Sequence, residues 1–383
     1  MRFVRDIGLF ENIPILVRAT LNVPTEHCVI ADEYRLRRTI PTIRYLTQRG
    51  ARVVLISHLG QKGTETLAPV ADALRKLLPG VSFFPETIGA STRAAVRDLM
   101  PGKVLVLENL RRNRGEVMND VTFAHELAAL GDVFVEDSFD TCHRTHASIV
   151  RLPKILPSYA GILLEEEVAA LTRARTPTHP ALAIIGGAKF STKEPVLRAL
   201  IATYDRVFVG GALASDFLKG AGHVVGKSLV GSGGSAQIKE LLSNPKLVLP
   251  IDILVVPESA LASADARSHA RVALVEEVRS DEIILDVGPA TTVLLGELIR
   301  RAKSILWNGP LGNYENGFAD ATNMVARAVA SSSTDSTIGG GDTVASIEKL
   351  GLLSQFSFVS TGGGAMLEFL AHGGTLPGIE ALG

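Results

Sequence analysis

The sequence predicts an α/β protein made of two doubly wound parallel sheets joined by a helix. Short β-branched runs such as VVLIS (53–57) and LAII (182–185) are apolar on both alternating faces, as parallel strands covered by helices on both sides should be. Segments between them, such as TIPTIRYLTQRG (39–50) and APVADALRKLL (68–78), carry apolar residues at helical spacing. The 383 residues exceed the roughly 250–300 at which a single core stops growing, so two domains are expected.

Strands are read at ILV (15–17), RVVLIS (52–57), KVLVLE (103–108) and DVFVED (132–137) in the first half. The second half gives ALAIIG (181–186), DRVFVG (205–210), LVLPID (247–252), EIILDV (282–287), SILWN (304–308), STI (336–338) and FSFVS (356–360). Between the halves, LLEEEVAALTRAR (163–175) aligns Leu164, Val168 and Leu171 on one stripe. It has Glu165, Glu166 and Glu167 in its first turn and Arg173 and Arg175 in its last, charges that match the helix macrodipole. TPTHP (176–180) then stops the helix. The expected division is therefore 1–162, a linker helix at 163–175, and 176–369. GSGGS (231–235) reads as a flexible loop.

Composition excludes several classes. A formal net charge of −1 and 5% aromatic residues give neither the electrostatic footprint nor the stacking platforms of a nucleic-acid reader. Two cysteines, Cys28 and Cys142, are too few for a disulfide framework and fit a reducing compartment. MRFVRDIGLF is no signal peptide, and no apolar span reaches 18 residues, so a cytoplasmic, membrane-free protein is expected.

In open α/β sheets ligands bind beyond the carboxyl ends of the strands, and there the two halves differ. First-half strand ends carry Arg18 and Asn22, His58 in SHLG, Arg111 in ENLRRNR, and His143, Arg144 and His146 in DSFDTCHRTHAS, with Arg35 opening the next helix. Guanidinium forks from successive loops fit an anion bearing phosphate and carboxylate. Second-half strand ends are glycine-rich: IIGGAK, VGGALA, DVGPA, WNGPLG, IGGGDT and STGGGA. Glycine lets backbone N–H groups approach a phosphate, and a helix starting at once turns its positive end toward it. Asp342, directly after three glycines, can hold Mg²⁺ beside nucleotide phosphates. Lys189 and Lys193 follow the first such turn, where they would neutralise a phosphoryl group in transit.

Standard signatures are missing. GHVVGKS (222–228) has alanine where a P-loop wants its first glycine, and it follows a helix end. No G-x-G-x-x-G follows a strand and no G-x-S-x-G is present. CHRTH (142–146) lacks a second ligand pair for a metal.

These residues resemble the phosphoglycerate kinase family. The resemblance covers nearly the whole chain, through LVRxxxNVP (16–24), RLRRTIPTI (35–43), SHLG (57–60), LENLR (107–111), HRTHAS (143–148), LPSYAG (156–161), GGAKxxxK (186–193), GKSL (226–229), LPxD (249–252), DVGP (286–289), WNGPLGNYE (307–315), GGGDT (339–343) and STGGGA (360–365). It implies two Rossmann-like domains, 3-phosphoglycerate on the first and Mg-ATP or Mg-ADP on the second, in a monomer whose closure excludes water. It also implies that the C-terminal segment 370–383 returns to the first domain. By the same resemblance Arg35 orients the acceptor carboxylate, Lys193 accompanies the phosphoryl group and Lys189 contacts nucleotide phosphates. Backbone amides of Gly340, Gly341, Gly363 and Gly364 line the path. Asp342 holds the metal, Thr343 and Asn308 contact phosphate, Glu315 takes the ribose hydroxyls, and Gly186, Gly187, Gly210 and Gly211 flank the adenine. Asn22, His58, Arg111 and Arg144 match acceptor-binding positions.

Four departures stand out. Thr20 replaces an aspartate that faces the acceptor hydroxyl, and Gln61 replaces a phosphate-binding arginine, with Lys62 beside it. Thr192 replaces an aspartate, and EDSFD brings Glu136 and Asp140 near the basic patch. Because all but one touch the acceptor side, two alternatives are kept: an acyl-phosphate kinase for a related phosphorylated acid, and a catalytically silent nucleotide-binding protein.

Overall fold

The computed structural model describes all residues except Leu9, Pro24, His27, Cys28, Ala31, Asp32, Ser232, Gly233 and Ala264, and at Thr25, Glu26 and Val29 the backbone alone. Cys28 and the middle of GSGGS thus lie outside the described residues. The chain divides into two compact units, Met1–Ala169 with Thr375–Gly383, and Ala170–Gly374. The division falls inside the helix Ile162–Arg175.

The first unit holds β1 (Pro14–Ala19), a hairpin of β2 (Thr25–Glu26) and β3 (Val29–Ile30), β4 (Arg52–Ile56), β5 (Val81–Phe84), β6 (Val104–Leu107), β7 (Val133–Asp137) and β8 (Ser158–Ala160). Six of these form one parallel sheet in the order β5-β6-β4-β1-β7-β8. Ile15, Val17, Val53, Leu55, Val104, Val106 and Val135 pack in one core cluster, while Leu16, Val54, Leu105 and Phe134, which alternate with them, are buried as well. Burial on both faces is what made these strands read as continuous apolar runs. The edge strands β5 and β8 were not expected, because VSFF and SYA are short and only partly buried.

The second unit holds β9 (Ala181–Ile185), β10 (Arg206–Val209), β11 (Leu247–Val248), β12 (Asp252–Pro257), β13 (Arg271–Leu274), β14 (Glu282–Val287), β15 (Ser304–Asn308), β16 (Asp335–Gly339) and β17 (Phe358–Val359). Its parallel sheet runs β11-β10-β9-β15-β16-β17, so the winding reverses between β9 and β15. Two strand readings need correction here. LVLPID is not one strand: Pro250 offers no ladder donor, β11 stops at Val248, and Asp252 opens β12. EIILDV is a strand, but it pairs antiparallel with β12 in a separate three-stranded sheet of order β13-β12-β14.

The linker helix starts where Leu163 and Leu164 donate their N–H groups to Asp137 Oδ1 at 2.9 and 3.3 Å. Its first-turn glutamates are spent on ion pairs, Glu165 with Arg5 and Glu166 with Arg38. No helix among the described residues is long and apolar enough to cross a membrane.

Asp252 caps the helix Pro289–Arg301, accepting from the N–H of Ala290 at 2.9 Å and of Thr291 at 2.7 Å. Asp252→Ala should therefore lower stability in urea unfolding by about 2 kcal/mol. Steady-state kinetics of the folded variant should be unchanged.

Candidate active site

At the carboxyl edge of the first sheet, Arg18 ends up almost fully buried at the C-terminal side of β1. Its Nε donates to Ser148 Oγ at 3.2 Å, one Nη to Ser57 Oγ at 3.2 Å, and the other meets His58 Nδ1 at 3.1 Å. Ser148 is itself held by the buried Glu116, which accepts from the Ser148 amide and hydroxyl at 3.0 and 2.6 Å. Arg111 donates to the carbonyl of Gly60 and to Gln61 Oε1, the latter at 3.3 Å. Arg35 donates to the carbonyl of Asn22 at 2.6 Å, and Asn22 Oδ1 accepts from the Gly60 amide at 3.2 Å. Arg111, Gln61, Gly60, Asn22 and Arg35 thus form one connected chain of contacts.

Electrostatics distinguish this edge from an ordinary polar surface. Burial, and then the charges of Arg18, Arg111, Arg144 and His146, hold the His58 imidazole well below its usual range. The ring is neutral at physiological pH, and since Nδ1 accepts from Arg18, Nε2 carries the proton. That Nε2 is buried without a partner, as are Nε of Arg111 and Nε of Arg144. His146 is lowered to about 4 by burial and by Arg111, Arg144, Arg18 and His143, and Arg111 to about 10 by burial, Arg144 and Arg18. Cations that depress one another and leave buried donors unmet form a receptor for an anion.

Of the two extra carboxylates, Glu136 is wholly buried on β7, where desolvation pushes its carboxyl well above the usual range. Asp140 is half-buried, and its Oδ1 accepts from Ser138 Oγ at 2.7 Å and from Thr20 Oγ1 at 3.0 Å.

At the carboxyl edge of the second sheet, three helices begin at glycine: Gly211–Gly220, Gly341–Lys349 and Gly363–Ala371. None has a side-chain cap. The helix Phe190–Thr203 also lacks one, and its preceding residue, Lys189, has the left-handed φ of 65° that non-glycine residues rarely adopt. Uncapped N-termini leave N–H groups for a ligand. The helix after DVGPA differs: it is already capped by Asp252, so that glycine turn, grouped with the others on sequence, offers no phosphate site.

A cavity of about 360 Å³ lies at these N-termini, lined by Lys193, Asn308, Gly340, Gly341, Gly364 and Asp342 among others. A Cβ at Gly341 or Gly364 would meet nothing within 4 Å, so these backbones face open space, while Gly340 adopts φ +99°. Lys193 Nζ donates to Asn308 Oδ1 at 3.2 Å, and Asn308 Nδ2 donates to the carbonyl of Gly363 at 3.3 Å. Burial lowers the Lys193 ammonium to about 8. An adjoining cavity of about 340 Å³ has apolar walls of Ile253, Ile283, Leu285 and Leu311, together with Gly187, Gly211, Glu315 and Asp342. Asp342 therefore touches both spaces.

Other residues sit apart from these cavities. Gly186 and Gly210 line neither; a Cβ there would strike the Pro310 carbonyl oxygen and the Leu311 side chain, so their role is close packing beneath the turn. Thr343 is buried and its hydroxyl accepts from the Gly309 amide at 3.1 Å. Lys189 lines a third cavity with Phe190 and Asp216. For a divalent cation, the carboxylates lining the first of these cavities are those of Asp342 and Glu368. Hard oxygen donors of this kind suit Mg²⁺ held mainly by phosphate and water.

Arg18, Ser57, Glu116 and Ser148 form the hidden scaffold of the first site. Only Arg18, charged within the apolar run ILVRA, gave a sequence signal.

An edge of buried, unpartnered cationic donors and an edge of open helix N-termini beside a half-buried lysine fit a phosphotransferase. The chain belongs to the phosphoglycerate kinase family, whose model matches residues 4–373. It is 43% identical over 394 residues to the phosphoglycerate kinase of Roseiflexus castenholzii, covering 99% of this chain and 98% of that protein. With the enzyme of Rubrobacter xylanophilus it shares 42% identity over 391 residues, with 100% and 98% covered. Among solved structures it is similar to phosphoglycerate kinase from Pyrococcus horikoshii OT3, with a TM-score of 0.90, 30% identity and 100% and 98% coverage. The enzyme from Coxiella burnetii gives 0.81 at 37% identity, with 99% and 98% covered.

The position of Lys193 sets a proton balance. Above pH 8 its amine is largely neutral in the free protein, and a bound polyphosphate favours the charged form, so ATP binding should take up a fraction of a proton at about pH 9 and close to none from this group below pH 7. Calorimetry in buffers of different ionisation enthalpy checks this, and Lys193→Met should abolish the uptake.

Proposed function

We propose that this chain transfers the γ-phosphoryl group of ATP reversibly to the carboxylate of 3-phosphoglycerate, giving 1,3-bisphosphoglycerate, as a cytoplasmic monomer in glycolysis using Mg²⁺. The first unit holds the acid and the second the nucleotide. The observation that carries the reading is the set of uncapped helix N-termini around Lys193 and Asn308, in a chain whose other unit presents unpaired cationic donors.

In this reading Arg111, Arg144 and the Nε2–H of His58 receive the anionic groups of the acid, with Asn22 and Gln61 fixing the loop that carries them. Thr20 acts through Asp140. Arg35 orients the carboxylate. A carboxylate oxygen attacks the γ-phosphorus, the bond to the β-phosphate oxygen breaks, and ADP leaves with the electron pair; no proton moves. Charge spreads over the equatorial oxygens, where amides of Gly340, Gly341, Gly363 and Gly364 and the Lys193 ammonium stabilise it. Gly187 and Gly211, underlain by Gly186 and Gly210, leave a slot for the adenine, and Glu315 takes the ribose hydroxyls. Asn308 keeps Lys193 aimed, while Thr343 fixes the Gly309 amide beside the phosphates. Lys189 reaches the phosphate chain from its own cavity. Asp342 holds Mg²⁺, which supplies charge neutralisation on the phosphates when bound.

A coupled assay with ATP and 3-phosphoglycerate tests the reading: turnover supports it, whereas nucleotide binding with no phosphorylation of that acid overturns it. Lys193→Ala should lower kcat roughly 10²–10³-fold with a much smaller change in ATP affinity, since the contact strengthens in the transition state. Equal losses in both would make Lys193 a binding residue only. Arg35→Ala should show the same split for the acceptor. Raising ionic strength should increase the KM for 3-phosphoglycerate, measured at saturating ATP.

A further inference from the structure

Asp140 is a carboxylate set among the cations of the anion site. It lies close enough to Arg111 for its charge to strengthen that group's hold on its proton, and the same guanidinium is pressed by Arg18 and Arg144. An anionic receptor group beside an anionic ligand is unfavourable unless it receives a hydrogen bond from that ligand. The side chain is also held in place. Oδ1 takes both the Ser138 and the Thr20 hydroxyls, and Thr20 is almost fully buried, its hydroxyl bridging Asp140 and the carbonyl of Asp137 at 3.2 Å. Oδ2 accepts from no described residue.

Resting on the reading of this unit as the acceptor site, the chemistry of the acid narrows what Oδ2 can meet. Phosphate and carboxylate are acceptors for guanidinium and imidazole donors. The hydroxyl is the one donor the ionised acid has. We infer that Asp140, positioned by Thr20 and Ser138, accepts a hydrogen bond from the acceptor's hydroxyl and sets the preference for a hydroxylated phospho-acid over its deoxy counterpart. Asp140 is thus a specificity-determining residue of the first unit, and Thr20 the residue that positions it.

The test compares 3-phosphoglycerate with 3-phosphopropionate, which lacks the hydroxyl, in the intact enzyme. The unmodified enzyme should favour the hydroxylated acid in kcat/KM by roughly 10- to 100-fold, the range for a hydrogen bond to a charged group. Asp140→Ala should bring that ratio to within about threefold by losing activity on 3-phosphoglycerate alone, and Asp140→Asn, which keeps an accepting oxygen, should restore part of it. Thr20→Val, which leaves the carboxylate but frees it, should give an intermediate ratio. Equal loss on both acids in Asp140→Ala, or no preference in the unmodified enzyme, overturns the inference while leaving the kinase activity established by the same assay. Absence of turnover on both acids in the unmodified enzyme would instead count against the kinase reading itself.

Discussion

Positive charge held below the surface is the constraint on which both units depend. In the first unit burial, and then the charges of Arg18, Arg111 and Arg144, hold the His58 and His146 imidazoles below their usual range. In the second, Lys193 sits half-buried with an uncharged amide as its partner. Folding alone does not reward such placements, since desolvated charge costs free energy until an anion arrives. The surrounding structure must hold them, and the direct hydrogen bonds come from neutral groups: Ser57 and Ser148 on Arg18, Asn308 on Lys193, the Gly60 carbonyl on Arg111. Carboxylates in these positions would relieve the fold and compete with the substrate. Of the buried carboxylates close by, Glu116 reaches Arg18 through Ser148, and Glu136 lies beside it on β7.

Helix termini follow the same division. Three helices away from the phosphate edge start on acidic caps: Asp120 accepts from the Phe123 amide, Asp252 holds Pro289–Arg301, and Asp137 holds the start of Ile162–Arg175. Helices at the phosphate edge begin at glycine and are left open. An acidic cap there would satisfy the same N–H groups and repel the phosphate. The open ends at this edge forgo local stabilisation, while apolar burial along both faces of the central strands supplies the stability.

How far this was legible in the sequence depends on what each feature needs. Central parallel strands are covered on both faces, so VVLIS and LAII declare themselves by composition alone. The edge strand VSFF, half-exposed, has no such mark, and the three-stranded sheet was folded into the parallel reading because EIILDV is as apolar as a buried strand although its partner β12 runs antiparallel. Glycine turns were legible as a class, but whether a turn is open depends on a distant residue: DVGPA looks like GGGDT until Asp252 is seen to cap it. Gly186 and Gly210 were similarly assigned to the ligand, yet they answer to Pro310 and Leu311, more than 100 residues away in the chain. Arg18 was visible as a basic residue at a strand end; its serine and glutamate supports, spread from Ser57 to Ser148, were not.

The acceptor-side departures also change character once they are placed in space. Thr20 and Asp140 stood apart in the sequence as an apparent loss and an unexplained gain of carboxylate. In the fold they share a hydrogen bond of 3.0 Å, and the Ser138 of EDSFD completes the clamp. Gln61 looks like the loss of a cation, but its Oε1 accepts from Arg111, so the loop trades a charge for a fixed guanidinium. A guanidinium held in one orientation loses less side-chain entropy on binding than a free one, and it keeps its remaining donors aimed. Substitutions that would each weaken an anion site in isolation are therefore tied together by contacts that hold its side chains in order. Their effects on the acceptor should be judged as pairs, because removing either member exposes a group whose placement only the other explains.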